Sequence, residues 1–442
     1  MNFLISIFFL LWTNVYSQHI HGRFIDTDLI GKKIYLYDMF QNDGKSIDDT
    51  IIDSNGNFSF NNTDFKLGFY RIQLKNQPPI IIVLNPVETD VEIQVNKQND
   101  DNPITVLQSI ENTAFHRHKM LLNIYNRIEY LQFQLSFPND EVLQNMDEYE
   151  NELKKFIYYS TVSLKDLQTN FSQTYTFDVF KKSMPIVNTI YEKRIEQFFD
   201  KKAILDSKYL HSPLMFNKIN MYLNYYSGEN GVDMHIAIDD ILMATYDNYD
   251  VYGYSITQIL SFLNREGKEE LIEYVISEYI GDEFDMITNR TLRKQIEGRQ
   301  KLKVGTIAPD LQIPDVNGDK VGLHDVYKNN KLNLLFFWSS QCPHCMETIP
   351  KIKTIYKSYR SAGLEVIAVS IDKKKEEWQQ AINQENLEWI NISNLNGWGS
   401  ESTDVYYVTS TPTFYLVDNE AMIVGRPNGK EEVIDKVNNL LR

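Results

Sequence analysis

The only two cysteines of the chain, Cys342 and Cys345, are separated by two residues. They follow the apolar segment Leu332–Trp338, which predicts a buried strand, and they begin a segment that predicts a helix, Cys342–Tyr359. A thiol at a helix N-terminus faces unpaired amide N–H groups and the positive end of the helix dipole, which stabilise its thiolate. The pattern therefore predicts thiol-disulfide exchange, with Cys342 as the nucleophile and Cys345 as the residue that resolves the mixed disulfide.

Three other uses of this cysteine pair are less favoured by the sequence. A structural disulfide over so short a loop would gain little chain entropy. A zinc site normally needs four ligands, but the chain has no other cysteine and no histidine after His344. A peroxidase would have a threonine three residues before the reactive cysteine and a proline further back, where this chain has Ser339 and Leu335. We therefore expect no metal and no cofactor, and a peroxidase stays an alternative.

The hydrophobic pattern predicts a leader followed by three domains. Residues 18–100 show short alternating runs that are typical of a β-sandwich, and the Asn-Gly pair Asn55–Gly56 predicts a tight hairpin there. Residues 101–302 show a helical period and predict an α-helical domain. Residues 303–442 alternate strands and helices, with parallel strands first, then an antiparallel hairpin and a closing helix. That order predicts an α/β domain around a mixed sheet.

The segment from Val304 to Arg442 resembles the TlpA-like and ResA-like thiol-disulfide oxidoreductases of the thioredoxin superfamily. The resemblance rests on Ala308–Asp310 ahead of the core, Phe337–Trp338 before the cysteines, Pro350 in the active-site helix and Thr411–Phe414 before a later strand. It covers about the last third of the chain and implies a C-terminal thioredoxin fold. The resemblance implies no function for the preceding β-domain.

The resemblance also implies roles for residues around the cysteines. Thr411 and Pro412 match the cis-proline loop, which with Trp338 would contact an extended substrate peptide. The dipeptide Pro343–His344 between the cysteines is the one found in DsbA-type oxidases, where the histidine helps stabilise the thiolate. His344 would then tune the thiolate of this chain. The dipeptide indicates an oxidase whereas the scaffold indicates a reductase, so the redox direction stays open.

Two positions depart from the family pattern. The family often has a glutamate three residues after the second cysteine, where this chain has Thr348. Thioredoxins keep a buried acid six residues before the first cysteine, where this chain has Phe336. The sequence therefore leaves the proton acceptor for Cys345 unidentified.

The amino terminus and the charge restrict the compartment and the partners. The apolar run Phe3–Trp12 is too short to span a bilayer and is typical of a signal peptide, with cleavage expected after Ser17. The formal charge of −16 makes nucleic acid an unlikely partner, because phosphates would be repelled.

We therefore expect an exported protein of the periplasm or cell envelope, tethered to the membrane only if the leader is retained. Its partners would be protein thiols and disulfides and an upstream redox donor or acceptor. A reductase is favoured; a DsbA-like oxidase and a non-enzymatic envelope binding protein stay alternatives.

Overall fold

The computed structural model of the 442-residue chain describes residues 19–40, 46–61, 65–75, 77–96, 104–187, 193–194, 198, 204–225, 227 and 233–441. The expected leader, residues 1–17, lies outside them. The chain forms two compact units, which divide between Asn289 and Arg290. The division into domains at 18–100, 101–302 and 303–442 stays a prediction, since the first unit contains both sheets and helices. Within the described ranges, no helix combines the length and apolar character needed to cross a membrane.

The first unit begins with two four-stranded sheets, in the orders β4-β1-β7-β8 and β3-β2-β5-β6. Pairing is antiparallel except between β1 and β7, which run parallel. Alternate residues of the strands are buried, and those from both sheets form one apolar core. The strands are β1 His19–Phe24, β2 Lys33–Asp38, β3 Asp48–Ile51, β4 Asn57–Phe60, β5 Gly68–Leu74, β6 Ile80–Leu84, β7 Asp90–Val95 and β8 Ile104–Gln108.

The Asn55–Gly56 turn forms, but the hairpin predicted around it is wrong. β3 pairs with β2 and β4 pairs with β1, so the turn carries the chain from one sheet to the other. Gly56 has φ +84°, and a Cβ there would lie 2.3 Å from the carbonyl oxygen of Phe24. The turn residues therefore fit a close approach to β1 rather than a local strand pair.

After β8, the described residues of the first unit are mainly helical, in agreement with the helical period of its sequence. The helix Tyr249–Arg265 is buried over most of its length. The described α-helices are Ile110–His118, Met120–Ser136, Asp140–Gln144, Met146–Phe171, Tyr175–Ser183, Pro213–Tyr225, Met234–Thr245, Tyr249–Arg265 and Glu269–Val275, and the last continues into a π-helix at Ile276–Ile280.

The second unit has a five-stranded mixed sheet in the order β13-β12-β11-β14-β15. β11, β12 and β13 run parallel, and β14 and β15 are antiparallel, as the sequence predicts. Its strands are β9 Gln312–Pro314, β10 Lys320–Gly322, β11 Leu332–Trp338, β12 Leu364–Ser370, β13 Ile390–Ser393, β14 Thr413–Asp418 and β15 Ile423–Gly425. Its helices are Arg290–Lys301, Leu323–Tyr327, Pro343–Tyr359, Lys375–Glu385, Glu401–Val405 and Lys430–Leu440.

The central strand β11 is buried along its whole length. Leu334, Phe336 and Trp338 pack into the core on one face of the sheet, while Leu335 and Phe337 pack into the core on the other face. Burial on both faces explains why this strand is a continuous apolar run rather than an alternating one. The strand ends at Trp338, four residues before Cys342.

Candidate active site

Cys342 is the N-cap residue of the active-site helix, Pro343–Tyr359. Its half-buried sulfur accepts the backbone N–H of Cys345 at 3.2 Å and donates to the carbonyl oxygen of Thr411 at 3.4 Å. Pro343 fits the first position of the helix, where a backbone N–H has no helical partner to lose. Cys342 thus lies at the helix end that stabilises negative charge.

Cys345 lies one turn into the same helix and is fully buried. Its sulfur is 2.6 Å from the sulfur of Cys342, and both cysteines are free thiols in this structure. Burial raises the pKa of the Cys345 thiol to about 12, and the hydrogen bond with Cys342 adds to that rise. The pair is therefore asymmetric, with one accessible sulfur at a helix N-terminus and one buried sulfur that holds its proton.

A buried carboxylate, Asp372, anchors the loop that leads to Cys342. It is 4% exposed. It accepts hydrogen bonds from the Ser339 hydroxyl at 2.8 Å, from the Ser340 amide and hydroxyl at 3.0 and 2.9 Å, and from the Ser370 hydroxyl at 2.7 Å. These bonds fix the backbone of Ser339 and Ser340, the residues between the end of β11 and Gln341–Cys342.

Sequence reasoning missed Asp372, although a signal for it exists. Ser370 ends strand β12, which runs parallel to β11 with Ser370 opposite Trp338. Because the carboxyl ends of adjacent parallel strands meet at one sheet edge, polar residues that follow these two strands lie close together. The segment Ser370-Ile371-Asp372 at the end of β12 and the pair Ser339-Ser340 directly after β11 would therefore have predicted this contact.

Thr411 and Pro412, the residues predicted to contact substrate, follow β13, and Thr411 lies beside the sulfur of Cys342. The Thr411–Pro412 peptide bond is cis, and both residues are half-buried. Thr411 places its carbonyl oxygen on the Cys342 thiol. The expectation for Trp338 is wrong, because this side chain is fully buried in the core with Phe336 and does not reach the surface.

His344 points away from the core. Its side chain is 81% exposed, and its Nδ1 lies 3.8 Å from a carboxylate oxygen of Glu347. Thr348 is buried and donates its hydroxyl to the His344 carbonyl oxygen at 2.7 Å. Among the described residues, the groups that act on the Cys345 thiol are Cys342, Ser339 and Thr411, none of which is a carboxylate. No trio of His, Cys, Asp or Glu side chains in the described ranges is placed to hold a metal ion.

We expect Asp372→Ala to destabilise the second unit by about 2–4 kcal/mol, because it leaves the buried Ser370 hydroxyl and the half-buried donors of Ser339 and Ser340 without their acceptor. The loop before Cys342 should also loosen, so the rate of alkylation at Cys342 should change. Urea unfolding and timed iodoacetamide labelling measure the two effects. Asp325→Asn is the control, since the Asp325 side chain is 77% exposed and should alter neither. An unfolding curve like that of the unsubstituted protein would contradict the assigned anchoring role.

We expect Cys345 to remain a thiol up to about pH 11 in the folded, reduced protein, because its pKa is raised to about 12. In denaturant, where burial is lost, it should ionise near its usual pKa of about 8.5. A titration followed by the ultraviolet absorbance of thiolate counts the ionised groups in each state. The Cys345→Ala variant assigns the remaining signal to Cys342. If both thiols of the folded protein ionised together below about pH 9, the asymmetry would be refuted.

The second unit matches known thiol-disulfide oxidoreductases in sequence. Residues 304–426 match the model of the AhpC/TSA family. The thiol-disulfide oxidoreductase ResA of Bacillus thuringiensis strain Al Hakam is 27% identical over 134 residues, which cover 30% of this chain and 74% of that protein. ResA of Bacillus subtilis strain 168 is 26% identical over 147 residues, which cover 33% of this chain and 79% of that protein.

Solved structures match the same unit. The thioredoxin domain of a thiol-disulfide oxidoreductase from Bacteroides vulgatus is 25% identical, with a TM-score of 0.30, over 32% of this chain and 99% of that one. A thiol-disulfide oxidoreductase from Bacteroides fragilis is 27% identical, with a TM-score of 0.30, over 31% of this chain and all of that one. The sequence of the second unit is thus ResA/TlpA-like and supports a thiol-disulfide oxidoreductase of the thioredoxin superfamily.

Proposed function

We propose that the chain is an exported reductase that breaks disulfides in protein substrates through its Cys342-Pro343-His344-Cys345 motif. The observation that carries this proposal is the asymmetry of the two thiols. Cys342 is accessible at a helix N-terminus, whereas Cys345 is buried and its pKa is raised to about 12. Such a pair assigns the attack on substrate to one sulfur and the release of substrate to the other.

The reaction begins when the thiolate of Cys342 attacks one sulfur of a substrate disulfide. A mixed disulfide forms, and the other substrate sulfur leaves as a thiolate that takes up a proton. Cys345 then loses its proton and its sulfur, 2.6 Å away in the reduced protein, attacks the sulfur of Cys342. The second substrate thiol is released and a Cys342–Cys345 disulfide remains. Two electrons have passed to the substrate, and an upstream dithiol donor must return them.

The position of the loop at Thr411–Pro412 favours a protein as the substrate. Its half-buried backbone lies against the Cys342 sulfur, with the Thr411 carbonyl 3.4 Å away. An extended peptide whose disulfide reaches Cys342 would pass this loop and pair with its backbone. Pro412 offers no N–H to such a peptide, so its part is to shape the surface.

The setting of His344 supports the reducing direction. An imidazolium close to the nucleophilic sulfur would stabilise the thiolate and make the disulfide more oxidising. In this chain the imidazole is 81% exposed and faces Glu347, whose negative charge offsets a positive charge on the ring. Water also screens a group so exposed, which leaves His344 a modest tuning role.

The proposal also covers the fold of the first unit and the location of the protein. We infer a β-sandwich followed by a helical domain, supported by the shared apolar core of the two sheets and the helices that follow them. Export is inferred from the leader at residues 1–17. A periplasmic or envelope location suits a protein whose two cysteines cycle between thiol and disulfide.

We expect Cys342→Ala to abolish reduction of a disulfide-containing protein such as insulin, because no accessible thiol remains. Cys345→Ala should retain the first step and accumulate mixed disulfides between Cys342 and the substrate. Insulin turnover with dithiothreitol as donor, and non-reducing electrophoresis with mass spectrometry, measure the two outcomes. Turnover retained in Cys342→Ala would contradict Cys342 as the nucleophile, and absence of turnover in the unsubstituted protein would favour a binding protein.

We expect the Cys342–Cys345 pair to have a reduction potential near the roughly −270 mV of thioredoxin rather than the roughly −120 mV of DsbA. His344→Ala should shift it by less than about 30 mV, which for two electrons is a tenfold change in the equilibrium constant. Equilibration with dithiothreitol and glutathione buffers measures both values. The same measurement on Glu347→Gln shows how much the carboxylate charge beside His344 affects the reduction potential. A potential near that of DsbA that falls strongly in His344→Ala would reverse the proposed direction.

A further inference from the structure

Trp398 is a solvent-exposed tryptophan in the second unit. Of the other four tryptophans of the chain, Trp12 lies outside the described residues, and Trp338, Trp378 and Trp389 are at most 5% exposed. Trp398 is 49% exposed. Its indole makes no hydrogen bond and no ring contact with any residue that the structure describes. A large apolar ring is thus presented to solvent together with an available N–H donor.

Trp398 follows the same edge of the sheet as the active site. Strands β11, β12 and β13 run parallel, and Ser393 at the end of β13 pairs with Ser370, which pairs with Trp338 at the end of β11. Because adjacent strands lie about 4.8 Å apart, the end of β13 is about 10 Å from the end of β11. Cys342 follows β11 by four residues, and Trp398 follows β13 by five. The two loops that carry them therefore begin side by side.

Contacts after the end of β12 connect these two loops. The side chain of Lys373 lies against Gly397, where a Cβ would be 2.6 Å from the lysine Cε. Gly397 also has φ +62°, a conformation that favours glycine. Asp372, the neighbour of Lys373, accepts the Ser340 amide at 3.0 Å. The tryptophan loop is therefore packed against the residue next to the carboxylate that anchors the cysteine loop.

Buried hydroxyl groups hold the backbone at Trp398. The hydroxyl of Thr403 is shared between the carbonyl oxygens of Trp398, at 3.0 Å, and Ser400, at 2.8 Å. Ser400 is 2% exposed and caps the short helix that follows it. The Thr403 carbonyl oxygen accepts the Val408 amide at 2.8 Å, three residues before Thr411. The indole is therefore presented from a fixed backbone, which lowers the entropy cost of binding a ligand.

The spacing of the two loops fits a peptide that reaches both of them. An extended chain advances about 3.3 Å per residue, so about three residues span the 10 Å between the ends of β11 and β13. A substrate segment whose cysteine lies at Cys342 and which extends toward β13 would bring a side chain about three residues away to Trp398. Tryptophan contributes strongly to binding where a partner covers its ring, because much apolar area leaves water at once.

We propose that Trp398 is a substrate-contact residue that selects disulfides with an aromatic or long aliphatic side chain about three residues from the substrate cysteine. The indole packs against that side chain, and its N–H donates to a carbonyl oxygen of the same segment. This inference rests on the proposed reductase function, since it names the substrate class of the same site. Trp398 takes no part in the transfer of electrons, so its loss leaves the reduction of small disulfides intact.

The test measures how fast the full-length, pre-reduced protein reduces two peptides and one small disulfide. The peptides are acetyl-Phe-Gly-Ser-Cys-Ser-Gly-Phe-amide and the same peptide with both phenylalanines replaced by serine, each as its symmetric disulfide dimer. The small disulfide is 2-hydroxyethyl disulfide. Acid quenching and chromatography give a second-order rate constant for each substrate. We expect the phenylalanine peptide to be reduced about tenfold faster than the serine peptide.

Trp398→Ala should reduce that preference to less than about twofold and leave the rate with 2-hydroxyethyl disulfide unchanged. Trp398→Phe should keep part of the preference, since an apolar ring remains. A preference that persists in Trp398→Ala, or an equal loss of rate with all three substrates, would overturn the proposal. If the unsubstituted protein reduced none of the three disulfides, the reductase function itself would fail. Reduction of 2-hydroxyethyl disulfide with no preference between the peptides would overturn only the role of Trp398.

Leu440→Ala is the matched control, because it also removes an exposed apolar side chain from the second unit. Leu440 is 47% exposed. It lies two residues after Asn438, which accepts the hydroxyl of Tyr359 at the last residue of the active-site helix. That helix is roughly 25 Å long, so Leu440 is far from Cys342. Leu440→Ala should keep the preference for the phenylalanine peptide, and equal loss in both variants would overturn the assignment.

Fluorescence quenching tests the contact directly. Each peptide, activated as its thionitrobenzoate disulfide, is attached to Cys342 of the Cys345→Ala variant. The phenylalanine peptide should protect Trp398 from quenching by acrylamide more than the serine peptide does. The Cys345→Ala/Trp398→Phe double variant identifies the part of the fluorescence that comes from Trp398. Equal quenching before and after attachment of the phenylalanine peptide would overturn the proposed contact.

Discussion

Burial of the central strand β11 on both faces is the constraint on which the active site depends. Its side chains fill the cores above and below the sheet, so the strand cannot shift in register without exposing an apolar side chain or burying a polar one. The C-terminal end of the strand therefore has a fixed position at the sheet edge. The helix that begins there places Cys342 at its N-terminus and turns Cys345 into the core. The different chemistry of two cysteines only three residues apart follows from that geometry.

The loop between strand and helix is held by a second interaction, the buried carboxylate of Asp372. A charge with so little exposure is tolerated because amide and hydroxyl donors surround it. The donors come from the ends of two parallel strands, so the contact ties β12 to the segment before Cys342. The thiol is thus positioned from two sides, by Asp372 through Ser340 and by the Thr411 carbonyl. Both supports are polar and lie at the edge of an apolar core.

The sequence by itself determined the main strands of the second unit, its motif, and the succession of parallel strands followed by an antiparallel hairpin. A continuous apolar run, a C-x-x-C pair at a helix start and a late X-Pro before a strand are local signals, and each depends on neighbours in the chain. The period of the hydrophobic residues likewise predicted sheets first and helices next in the first unit. These predicted features agree with the structure because secondary structure and helix capping depend on nearby residues in the chain.

Only the tertiary structure decided which residues meet. The Asn55–Gly56 turn is correct locally, yet pairing with β1 and β2 sent its two strands to different sheets. Trp338 is near the motif in sequence but belongs to the core, because strand β11 is buried on both of its faces. Asp372 joins the site from 30 residues after Cys342. Contacts between distant segments depend on how the sheets and helices pack, which no local pattern records.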